Sequence, residues 1–115
     1  MQVIFESRDT EGRQFQALAE QRVRFVLRHL RWLVPQANIR LSDVNGPRGG
    51  IDKRCQVEFA TQGKGRIVST AMAADWRTAL EGALARAARR TVRSVRRSQV
   101  RERMPPPQRL FATDL

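Results

Sequence analysis

An α+β fold follows from three features of the chain. Short segments alternate apolar and polar residues with period two, two longer segments carry apolar residues at helical spacing, and the order is β-α-β-β-β-α. Elements with one apolar side each pack best as two layers, here a four-stranded sheet with both helices on one face.

The first strand is expected over Gln2 to Glu6. It is followed by a polar segment, Ser7 to Gly12, in which Asp9 and Thr10 are suited to cap a helix. From Arg13 to Leu33 the residues Phe15, Leu18, Ala19, Val23, Val26, Leu27, Leu30 and Leu33 recur at helical spacing, with Arg24, Arg28 and Arg31 opposite. This predicts one amphipathic helix ending near Pro35. Ala37 to Val44 alternates, with Ile39 and Leu41 apolar, and Asn45-Gly46-Pro47-Arg48-Gly49-Gly50 reads as a wide hairpin loop. Ile51 to Ala60 alternates again, placing Cys55, Val57 and Phe59 on one side and Arg54, Gln56 and Glu58 on the other. Gln62-Gly63-Lys64-Gly65 is a turn, and Arg66 to Met72 completes an antiparallel meander.

Asp75 is a good N-cap for a long second helix reaching about Arg97. On a helical wheel Leu80, Ala83, Leu84, Ala87, Ala88, Val92 and Val95 occupy one half, and arginines fill the rest. Pro105-Pro106-Pro107 excludes helix beyond, so one domain is expected over residues 1–98, with a mobile tail over 99–115.

The 115 residues suffice for a single core, and 41% hydrophobic with 29% charged residues is a globular balance. A net charge of +11 calls for a polyanionic partner. Of the 22 basic residues all but Lys53 and Lys64 are arginine, whose planar fork bonds phosphate in bidentate fashion and stacks on bases; a GC-rich genome would also raise the Arg content. One cysteine excludes an internal disulfide, the opening Met1-Gln2-Val3-Ile4-Phe5 lacks the pattern of a signal peptide, and no apolar run approaches the ~18 residues of a membrane span. A cytoplasmic protein that does not engage membranes is expected, monomeric when free.

Arg86, Arg89, Arg90, Arg93, Arg96 and Arg97 lie on one helix face at steps of three and four, where like charges repel. A phosphate backbone against the stripe reverses that penalty and releases condensed counterions. Arg24, Arg28 and Arg31 are expected to extend the same surface from the first helix, and Lys53 and Arg54, with Arg48, to reach RNA from the hairpin. A solvated helix face is the usual meaning of a charge run, but a run of one sign in a chain this basic favours the polyanion. Trp32 and Trp76 are read as packing at helix ends before base stacking, because the chain is poor in aromatics. Cys55 is core filler. With His29 the only histidine, no metal site or catalytic triad is proposed, so the expectation is a protein that is not an enzyme and needs no cofactor and no small-molecule substrate. Asn45 to Gly50 lacks the spacing of a phosphate loop and opens no helix.

The element order, the long basic last helix and the string Leu41-Ser42-Asp43-Val44-Asn45-Gly46-Pro47-Arg48-Gly49-Gly50-Ile51-Asp52-Lys53-Arg54-Cys55 resemble the ribosome hibernation promoting factor and ribosome-associated inhibitor A family over residues 1–98. That family's last helix opens with Asp-x-Tyr-x-Ala-Ile and continues with a pattern like Lys-Leu-x-Arg-Gln-Leu-x-Lys. Asp75-Trp76-Arg77-Thr78-Ala79-Leu80 and Arg86-Ala87-Ala88-Arg89-Arg90-Thr91-Val92-Arg93 are similar, with Arg77 standing at the tyrosine position. The resemblance implies binding over ribosomal RNA between head and body of the small ribosomal subunit, where messenger and transfer RNA would lie, and silencing of idle ribosomes in stationary phase or stress. At 115 residues the chain is expected to be a short form, without the second, C-terminal dimerisation domain that some members of the family carry. The residues alone leave two alternatives: a general double-stranded RNA or DNA binding module, and an interaction module for an acidic regulatory protein.

Overall fold

The computed structural model describes residues 1–44 and 51–103. The expected hairpin loop, Asn45 to Gly50, and the tail beyond Arg103 lie outside the described residues. Four strands, β1 (Gln2–Ser7), β2 (Gln36–Asp43), β3 (Lys53–Ala60) and β4 (Arg66–Ala73), form one sheet in the order β1-β2-β3-β4. β1 runs parallel to β2, while β2, β3 and β4 form the antiparallel meander that the alternation predicts.

The period-two pattern sets the register of burial. Ala37, Ile39 and Leu41 of β2 pair with Phe59, Val57 and Cys55 of β3, and all six are buried under the helices. The sheet's other face carries Glu6, Asn38, Arg40, Gln56 and Glu58, where Arg40 pairs with Glu6 at 3.2 Å and Arg66 with Glu58 at 3.0 Å. Fold class and layering are therefore as the sequence predicts.

The first helical region differs from expectation. In place of one helix from Arg13 to Leu33 there is a short helical turn, α1 (Thr10–Arg13), and an 11-residue helix, α2 (Gln16–Val26). Asp9 caps α1, its carboxylate accepting from the Glu11 amide at 3.0 Å. After Val26 the backbone makes successive three-residue bonds, from the amide of Leu30 to the carbonyl of Leu27 and from Leu33 to Leu30. Apolar residues three apart fit a series of tight turns as well as they fit a helix face, so Leu27, Leu30 and Leu33 carry helical spacing without continuing the helix.

The last helix, α3 (Trp76–Arg103), runs past the expected end near Arg97 and takes in the first residues assigned to the tail. Gln99, Arg101, Glu102 and Arg103 are good helix formers, and the nearest helix-breaking residue in the sequence is Pro105. Asp75 caps α3 as expected, accepting from the Thr78 amide and hydroxyl at 2.8 Å each. These bonds to the ionised form, the amide bond first, hold the Asp75 carboxyl below its ordinary pKa. Ala79, Leu80, Ala83, Leu84 and Ala87 are fully buried, and so is Thr91, whose hydroxyl donates to the Ala87 carbonyl at 2.8 Å. Ala88 and Val92, expected in the core, are only half-buried because that flank turns away from the sheet. Trp76 is buried at the start of the helix, as its packing reading predicts.

Candidate nucleic-acid interface

Only Ala74 and Asp75 separate β4 from α3, so the helix must fold straight back over its strand. At ~1.5 Å per helical residue and ~3.3 Å per strand residue, about seventeen residues of helix cover the eight of β4. Arg90 to Arg97 therefore arrive over the start of β4 and the turn preceding it.

β4 is an edge strand, and alternate carbonyls on its outer side have no strand to pair with. Arg86 donates to the Thr70 carbonyl at 2.9 Å, and Arg90 donates to the Val68 carbonyl one strand-repeat away. These two members of the stripe have a structural duty: they close the open edge. Arg93, Arg96 and Arg97, further along, are exposed.

The β3–β4 turn adds cations that the sequence reading did not assign to the site. Gly63 and Gly65 have φ of 80° and 74°, a conformation that favours glycine, and between them they project Lys64 toward α3, where its ammonium donates to the Ser98 hydroxyl. The result is an open groove of about 640 Å³ between β4 and α3. It is lined by Lys64, Arg66, Arg90, Arg93, Arg96 and Arg97, with Ile67, Val68 and Ser94, and holds no carboxylate among its lining residues. The signal available in the sequence was the two-residue link, which obliges α3 to return to the turn.

Arg89, exposed, lies on the solvent side of the helix beside Arg93 and Arg96, around Ala88 and Val92. The first-helix arginines do not extend this surface. Arg24 on α2 donates to the Met1 carbonyl at 3.3 Å, beside β1, whereas Arg86 and Arg90 are tied to β4 at the opposite edge of the sheet. Arg28 and Arg31 are not on the helix at all but in the turns that follow it. α2 is joined to α3 by Arg22 and Glu81 at 2.8 Å.

The hairpin residues stand apart as well. Lys53 is held by Asp43 at 2.7 Å, lies 3.5 Å from the buried carboxylate of Asp52 and sits 5.3 Å from the centre of the Trp76 ring. The Asp43 hydrogen bond, reinforced by both carboxylates against the opposing effect of burial, raises its pKa. Its charge is thus already balanced within the protein. Arg54 is exposed, but on the sheet face away from the helices.

Cys55 is fully buried, and burial pushes its thiol up to about 12, which makes it inert as a nucleophile. Among the described residues no group of three His, Cys, Asp or Glu side chains is placed to hold a metal ion, and no helix is long and apolar enough to cross a membrane. Compared with known proteins, the chain matches no family model and no curated protein.

Proposed function

We propose that the protein is a translation-silencing factor that binds ribosomal RNA on the small ribosomal subunit, with the β4–α3 groove as its principal contact. The observation that carries this reading is the convergence of six cations from two separate parts of the chain on one groove whose lining holds no carboxylate, with Arg66 paired to Glu58 outside it. Like charges gathered this way repel one another, and a phosphate backbone relieves the repulsion while releasing counterions. On the sheet's open face Arg40 is paired with Glu6, and Glu58 there meets Arg66 of the groove, so that face offers less unpaired positive charge to the same partner.

An RNA site built from arginines on a rigid helix and a glycine-flanked lysine recognises shape and phosphate spacing and needs no chemistry on the substrate. The choice of the small ribosomal subunit rests on the resemblance of residues 1–98 to the hibernation factors. Blocking the path of messenger and transfer RNA requires occupancy alone.

Sucrose-gradient sedimentation of a stationary-phase lysate tests the reading directly. Co-migration with small subunits or whole ribosomes at physiological salt, lost at high salt, is the expected result. If the protein stays at the top of the gradient at physiological salt, the ribosome is not its main partner and the proposal fails. Excess long duplex RNA should leave a ribosome factor in place, whereas it would strip a general duplex-binding module.

A further inference from the structure

We infer that Trp32 is a stacking platform for one unpaired base of the bound RNA, a site that rests on the RNA-binding reading above. The two tryptophans have opposite fates: Trp76 is 4% exposed and Trp32 is 63% exposed. A large ring left in water forgoes the hydrophobic stabilisation that normally keeps tryptophan well covered. Trp32 is nevertheless held, because its indole N–H donates to the His29 carbonyl at 3.2 Å, so little side-chain freedom remains to be lost on stacking.

The surroundings select the ligand. No acidic residue occurs between Gln21 and Val34, and Arg28, His29 and Arg31 are all exposed. Phe25, 51% exposed, has the Arg28 guanidinium 4.3 Å from its ring centre. An apolar protein partner would have to desolvate these cations without compensation, whereas single-stranded RNA supplies a base for the ring and phosphates for the guanidiniums.

Position links the platform to the groove. The Gln62 amide donates to the Leu33 carbonyl at 2.9 Å, and two residues on, Lys64 donates to Ser98 of α3. The β3–β4 turn is thus a bridge with Trp32 next to one end and the basic half of α3 at the other. A strand bound along Lys64, Arg66 and Arg93 therefore lies one backbone contact, Gln62 to Leu33, from the segment that carries Trp32.

The test uses the whole protein and its W32A and W32F variants with two probes: a mixed A/U single-stranded RNA of about twelve nucleotides and a duplex of the same length. Single-stranded RNA should quench the tryptophan emission of the parent but not of W32F, in which only buried Trp76 reports. W32A should bind the single strand on the order of tenfold more weakly, W32F should retain most of the affinity, and duplex binding should be the same for all three. Thermal melting checks that the variants are folded, as expected for a side chain this exposed. If the parent binds the single strand and W32A binds it equally well, the platform is wrong while the RNA-binding reading stands. If the parent does not bind the single strand, the platform is wrong whatever the duplex does, and the ribosome reading is decided separately by the sedimentation experiment.

Discussion

Arg86 and Thr70 are 16 residues apart in the chain and 2.9 Å apart in space, the guanidinium donating to the strand carbonyl. With Arg90 on Val68 it divides the arginine stripe into members that close the sheet edge and members that face outward.

Replacing Arg86 and Arg90 with alanine should therefore lower stability, by about 0.5–1 kcal/mol each because the carbonyls are exposed and water partly replaces the donors. The pair Arg93→Ala and Arg96→Ala should leave the melting temperature nearly unchanged and weaken RNA binding more. Equal melting temperatures for the two double variants would show that the edge contacts contribute nothing.

Lys64 and Arg66 should behave as phosphate contacts although neither lies on a helix. Lys64→Gln is expected to reduce the slope of log affinity against log salt by about one, uniformly across RNA sequences, and Arg66→Gln by less, because Glu58 already pairs with Arg66 at 3.0 Å. Arg24→Gln, on the opposite edge, should leave that slope unchanged. Filter binding or fluorescence anisotropy over a salt series reads all three.

The Arg22–Glu81 pair joins α2 to α3 with both side chains about a third exposed, 33% and 36%. A double-mutant cycle with Arg22→Gln and Glu81→Gln should give a coupling below about 1 kcal/mol that shrinks as salt is added. A coupling insensitive to salt would mean that packing, and not charge, joins the helices there.

Asp75 carries a pH signature. Its folded pKa lies below the ordinary 3.8, chiefly through the Thr78 amide bond, so its charge-linked stability is complete above pH 3.8 and is lost as the pH falls through the folded value. Asp75→Ala should lower the melting temperature at neutral pH, Asp75→Asn should lower it less, and the gap between parent and Asp75→Asn should close on acidification below pH 3.8. Thermal melts across that range decide it.

With its pKa at about 12, the Cys55 thiol should resist disulfide-exchange reagents at pH 8, where the thiolate fraction is on the order of one in ten thousand. Labelling should appear only as the protein unfolds. Rapid labelling of the native protein would mean that the strand face around Cys55 opens readily.

Much of the architecture was legible because it depends on local periodicity. The alternation through Cys55, Val57 and Phe59, the caps at Asp9 and Asp75, and the buried run Leu80, Ala83, Leu84 and Ala87 all express contacts each segment needs whatever its neighbours are. The first helix departs from expectation where two conformations share a period: Leu27, Leu30 and Leu33 suit three-residue turns and helix alike, and only their docking onto the sheet separates the two. Thr91 is not recognisable from the sequence as a core residue because its hydroxyl is satisfied by its own helix, a compensation that composition does not reveal.

By itself, then, the sequence determined the α+β class, the element order, the buried strand face and the presence of an arginine-rich last helix. Tertiary structure alone decided which cations act together. The return of α3 over β4 brings Lys64 and Arg66 to Arg93, Arg96 and Arg97, commits Arg86 and Arg90 to the sheet edge, balances Lys53 against Asp43 and leaves Arg24 at the far edge. Helical and strand periodicity are properties of neighbours in sequence, whereas electrostatic potential sums over neighbours in space, and those are set only when the chain has folded.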